Sequence, residues 1–115
     1  MTRSASIVLG DILEAAELLQ RYTSGLTYDA FALDIEKQDA VCRRLEIIGE
    51  AVRALPREIR DSYPSTPWRE ISAARDILIH EYFRIDLGLA WEMVQRDVPA
   101  LADQVRAILA DLGDV

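Results

Sequence analysis

The spacing of apolar residues predicts an all-α protein, an antiparallel up-and-down bundle of four main helices with a short extra helix near residues 56–62. Three observations carry that expectation. Apolar residues recur at alternating four and three spacing over long stretches, which places them on one face of a helix. No stretch alternates apolar and polar residues between turn signals, as half-buried strands do. The breaks between periodic stretches are short, which favours antiparallel neighbours.

The first stripe, from about Ser6 to Tyr22, is Val8, Ile12, Ala15, Leu19 and Tyr22, with acids on the opposite side. Thr23-Ser24-Gly25 ends it. Thr27 is a candidate N-cap for a single long second helix reaching about Leu55, with the stripe Phe31, Ile35, Gln38, Cys42, Leu45, Gly49 and Val52. Gly49 inside a helix costs roughly 1 kcal/mol against alanine, so the pattern predicts close approach by a neighbour there. Pro56 ends this helix or opens a short turn through Ile59, and Tyr63-Pro64-Ser65-Thr66-Pro67 forms a non-helical connector. Thr66 and Pro67 fit the N-cap and first position of a third helix that runs through Ile71 and Leu78 to about His80 or Tyr82. Asp86 is the N-cap candidate for the last helix, whose stripe is Leu87, Trp91, Val94, Val98, Leu101, Val105, Ile108 and Leu112. Pro99 removes the hydrogen bond to residue 95, so a kink or a split into two shorter helices is expected there.

With 115 residues the chain is read as one domain, spanning 1–115, whose apolar surface would gain from an additional interface. A homodimer is the natural expectation. The short, charge-broken apolar runs fit neither a membrane span nor a secretory segment, so a soluble, cytoplasmic protein is expected. Cys42, the one cysteine, sits in helical apolar spacing with no thiolate-activating motif and reads as a small hydrophobe.

The formal net charge of −7 argues against a general nucleic-acid coat. The charge is unevenly spread, however. Between Arg43 and Arg84 eight arginines face seven acids, net +1, which leaves −8 for the rest of the chain. Arginine suits bidentate phosphate contacts, and a locally basic cleft can serve an acidic protein.

Neither a Gly-rich phosphate loop nor a zinc-ligand set is present, and no cofactor is implied. Glu46 and Glu50, one turn apart beside Arg43 and Arg53, read as an ion-pair ladder before they read as a cation site. The segment that departs from the pattern is Arg75 to Tyr82. Trp68, Ile71, Arg75, Leu78 and Tyr82 fall on one stripe, which puts an arginine where an apolar residue is expected and calls for a partner or a ligand. His80, the single histidine, lies roughly 140° around an ideal helix from Arg75. One straight helix therefore does not aim both at one phosphate. The helix unwinds near His80, or two chains share a cleft. Spacing alone equally allows a bland role, with His80 favouring the helix dipole and Arg75 pairing with Glu46 or Glu50.

The run Arg75-x4-His80-x-Tyr82 resembles the signature of the HepT-like toxins, members of the HEPN superfamily of small helical nucleases. Ile47-Ile48-Gly49-Glu50-Ala51 is similar to the family's Ile-Gly-Glu-Ala segment. Tyr63-Pro64 followed by Pro67-Trp68-Arg69-Glu70-Ile71 resembles its entry into the third helix, and Tyr82-Phe83-Arg84-Ile85-Asp86 its exit. The resemblance implies a HEPN-like bundle acting as a metal-independent endoribonuclease, the toxin of a toxin-antitoxin pair, with its cleft between two protomers. It further implies that Arg75 binds the scissile phosphate and His80 serves as general acid or base, with Asp76 and Glu50 in support. Asp76 stands where the family often has asparagine. It could orient Arg75, or its charge could weaken RNA binding. Tyr82 matches the tyrosine that an MntA-type nucleotidyltransferase antitoxin modifies with AMP. The alternative is a non-catalytic HEPN dimer that binds a nucleotide or a nucleotidyltransferase partner.

Overall fold

The computed structural model describes the backbone of residues 4–80 and 86–113, and the side chains of 4–74 and 86–113. Helix α1, Ala5–Thr23, starts where the Ser4 hydroxyl accepts a hydrogen bond from the Ile7 amide. It buries Val8, Leu9, Ile12, Ala15, Ala16 and Leu19. The helix stops at Ser24, and Gly25, with φ +73°, makes the left-handed turn that a side chain would resist.

The expected single helix from Thr27 to Leu55 is two helices. Thr27 does cap, its hydroxyl accepting from the Ala30 amide, but α2 covers only Tyr28–Ala32. A new helix, α3, then runs Ile35–Ala54, with the Asp34 carboxylate accepting from the Lys37 amide at 3.1 Å. The Gln38 side-chain amide donates to the Phe31 and Ala32 carbonyls at 3.0 and 3.1 Å, so the orphaned end of α2 is satisfied from the first turns of α3. The corner turns Phe31 into the core at 0% exposure, where its ring lies 5.3 Å from that of Trp91. The apolar stripe ran through the break by way of Ile35, yet Ile35 is 72% exposed, so the corner takes that residue off the buried face.

Helix α4, Arg57–Ser62, is the short extra helix expected after Pro56. Helix α5, Trp68–His80, begins one residue later than Thr66-Pro67 implied: the Pro67 carbonyl accepts from the Ile71 amide. Trp68 is buried, and its indole N–H donates to the Tyr63 carbonyl at 3.0 Å, which pins the connector under the start of α5. The Asp86 carboxylate caps α6, Leu87–Glu92, as expected. The discontinuity assigned to Pro99 lies just upstream. Met93–Asp97 forms a π-helical turn closed by the Val98 amide bonding the Met93 carbonyl, and α7 then spans Val98–Asp111. Widening that turn accommodates a ring that cannot donate to residue 95.

Helix α1 packs against both α3 and α7, and α5 packs on α3. The result is an all-helical bundle with no strand among the described residues. No helix among these residues is long and apolar enough to cross a membrane. Phe31→Ala should cost 3–5 kcal/mol in chemical unfolding, because it empties a fully buried site. Asp34→Ala should cost only about 1 kcal/mol, the loss of one N-cap. Circular dichroism against denaturant measures both.

Candidate functional site

The helix that carries the candidate residues is held along its length before they begin. Ser72 accepts a hydrogen bond from Arg53 Nε at 2.9 Å, joining the middle of α5 to the last turn of α3. Ile71 shares a 10 Å³ cavity with Leu45 and Ile48 of α3 and with Met93, Asp97, Val98 and Leu101. The polar bond and the apolar contact together fix how α5 sits against α3. Arg75, Asp76 and His80 belong to the last turns of α5. Their side chains lie outside the described residues, as does the whole of Tyr82.

Glu46 and Glu50 lie on the stretch of α3 that α5 crosses. Glu46 pairs with Arg43 at 3.5 Å, one rung of the ladder expected from the sequence, and Glu50 is exposed. Gly49 between them is buried on the same face as Leu45 and Val52. Cys42 is half-buried one turn before Glu46. Burial, helped by the nearby negative charges of Glu46 and Asp39, pushes its thiol from an ordinary 9.0 up to about 11. A neutral thiol at physiological pH is a packing group, in line with its apolar helical spacing.

Two clefts flank α5. An apolar one of about 390 Å³ lies between α5 and the last helical segment, lined by residues that include Ile71, Ala74, Met93 and Leu101. A polar one of about 500 Å³ opens at the start of α5, where Arg57 and Arg60 of α4 meet Arg69. Charge counting had marked the centre of the chain as basic, yet Arg57, Arg60 and Arg69 were not recognised as a group. The available signal was the i, i+3 pair of arginines in a short helix, followed by an arginine just beyond the prolines.

A family model described as Ribonuclease HepT-like matches residues 12–108. A protein of Methanocaldococcus jannaschii named "Gamma-glutamylcyclotransferase and putative RNase" is 46% identical over 97% of the chain and 50% of its own length. The chain thus spans about half of that relative. The "Probable ribonuclease HepT" of Thermococcus cleftensis is 43% identical over 88% of the chain and 92% of its own length. A "Putative RNase" of Caldanaerobacter subterraneus is 42% identical over 88% of the chain and 90% of its length. No solved structure matches the chain.

The raised Cys42 pKa gives a direct expectation. At pH 8 the thiolate fraction of the folded protein should be about 100-fold below that of a thiol at 9.0, so iodoacetamide should label Cys42 at least tenfold more slowly than in the unfolded chain. The folded-state rate should keep rising past pH 10, and mass spectrometry of timed samples reads it.

Proposed function

Because the chain belongs to the HepT-like ribonuclease family, we propose that it is an endoribonuclease acting as the toxin of a toxin-antitoxin pair. The observation that carries this reading is the family match over residues 12–108. That range contains the Ile47–Ala51 segment, the Pro67-Trp68 entry to α5 and the Arg75-x4-His80-x-Tyr82 run, in family order.

In this reading Arg75 holds the scissile phosphate and neutralises charge that builds on its oxygens. The ribose 2′-hydroxyl attacks phosphorus, a new O–P bond forms, and the bond to the 5′ oxygen of the next nucleotide breaks. His80 takes the 2′ proton or gives one to the departing oxygen, work that suits a group titrating near neutrality. No metal is needed for this step. A homodimer would bring two copies of His80 to a common cleft, supplying a base and an acid together, and the roughly 140° between Arg75 and His80 on one helix favours that division. Asp76, next to Arg75 in the sequence, orients it, and Glu50, on the stretch of α3 that α5 crosses, supports the same group. Tyr82 is the acceptor for AMP transferred by an MntA-like nucleotidyltransferase antitoxin. An adenylyl group there places an anion beside the positive site and competes with RNA for it.

His80→Ala and Arg75→Ala should each lower RNA cleavage by 10²–10⁴-fold while leaving the helical circular dichroism intact. Unchanged cleavage would remove the assignment. If the unaltered protein binds mononucleotides or a nucleotidyltransferase but cuts no RNA at high concentration, the non-catalytic dimer takes its place. Co-expression with such a nucleotidyltransferase should add adenylyl mass to the intact chain, and Tyr82→Phe should abolish the addition.

A further inference from the structure

The polar cleft at the start of α5 is separate from the Arg75–His80 segment at its other end. It is lined by Arg57, Arg60 and Arg69, with Asp61 and Glu70 as the acids, and by residues of the connector and of the helix start. Among the described residues none of the three arginines forms an ion pair, although Asp61 and Glu70 line the same space. Arg60 is half-buried, and its Nε is buried with no hydrogen-bond partner, so that one nitrogen is left unsatisfied by the protein itself. Elsewhere on the surface, Arg43, Arg96 and Arg106 each sit against a carboxylate. Three arginines gathered in one 500 Å³ cleft without such partners, in a chain of net charge −7, form a local basic patch suited to a negatively charged ligand.

We propose that this cleft binds the phosphodiester backbone of the RNA strand that is cut at the far end of α5. The inference rests on the ribonuclease reading. Along α5 the rise of about 1.5 Å per residue puts Arg69 roughly 9 Å from Arg75 and roughly 16 Å from His80. An extended RNA strand covers that interval in a few nucleotides. By helical periodicity Arg69, Asp76 and His80 fall within about 20° of one line along the helix. A strand following that line therefore meets the arginine cleft a few nucleotides from the bond that breaks. Asp61 and Glu70 leave the cleft only one net positive charge, so it contributes to holding a long polyanion and has little hold on a lone phosphate ion. The cleft acts on binding and positioning, and the reacting atoms lie elsewhere.

The test uses His80→Ala protein, expected to bind RNA without cutting it. Affinity for a fluorescein-labelled single-stranded RNA 20-mer is measured by anisotropy across a range of salt concentrations. Arg57→Gln and Arg69→Gln, both at exposed positions, are added singly and together. Each should flatten the slope of log affinity against log salt by about 0.7, and the pair by about 1.4. Arg96→Gln, whose guanidinium already pairs with Glu92, should leave the slope unchanged. In the protein with His80 intact, the double variant should raise KM for the 20-mer while sparing cleavage of a dinucleotide too short to reach the cleft. Parent-like slopes in the double variant would overturn the subsite and leave the cleft to a protein partner, with the ribonuclease reading untouched. If the His80→Ala protein binds no RNA and the unaltered chain cuts none, both fall together.

Discussion

Burial of one face of α1 is the constraint on which the rest of the bundle depends. Leu9, Ile12, Ala16 and Leu19 are at 0% exposure, and α1 is the helix that contacts both α3 and α7. Burying a large aliphatic side chain contributes roughly 1.5–3 kcal/mol, so this seam outweighs any exposed ion pair at about 0–1 kcal/mol. The Arg106 bridges to Glu17 and Asp103 decorate the α1–α7 contact and do not create it. With α3 fixed on one side of α1, α5 has a defined surface to lie on.

That dependence explains how a helix at the margin of the bundle can carry the polar residues. Helix α5 touches the core through Trp68 and Ile71 near its start, and Arg53 and Ser72 add a polar link before Arg75. The indole bond to the Tyr63 carbonyl and the Tyr63 hydroxyl donating to Asp111 at 3.0 Å secure the connector that feeds it. The described packing of α5 lies in its first half, ahead of the arginine, aspartate and histidine that follow in the sequence. The same arrangement leaves the start of α5 and the face of α4 to form the arginine cleft. One helix thus serves a proposed cutting site at its C-terminal half and a proposed strand-binding cleft at its N-terminus.

The bundle class, the short helix after Pro56, the Thr27 and Asp86 caps and the buried stripe of α1 were all legible from the sequence, because each follows from local chemistry. A stripe at four and three spacing must bury one face, and a cap is read from the residue that accepts the first amide bonds. The corner at Leu33-Asp34 escaped for a physical reason. Asp34 is a good cap, but whether it starts a new helix depends on Gln38 reaching back to the Phe31 and Ala32 carbonyls and on the core accepting Phe31. Likewise Pro99 marked a fault in the last helix, and packing chose to absorb it as a π turn over Met93–Asp97.

The order of the motifs, and with it the family, was determined by the sequence alone. So were Arg75 and His80 as candidates, since an arginine on an apolar stripe and a lone histidine at a helix end stand out in one dimension. Only the tertiary structure decided that Arg57, Arg60 and Arg69 share one cleft. Arg57 and Arg60 lie on a different helix from Arg69, across a connector containing two prolines, and no periodicity relates positions across such a turn. Periodicity reports which face of an element is buried. Which elements meet at their ends is settled by how their buried faces pack.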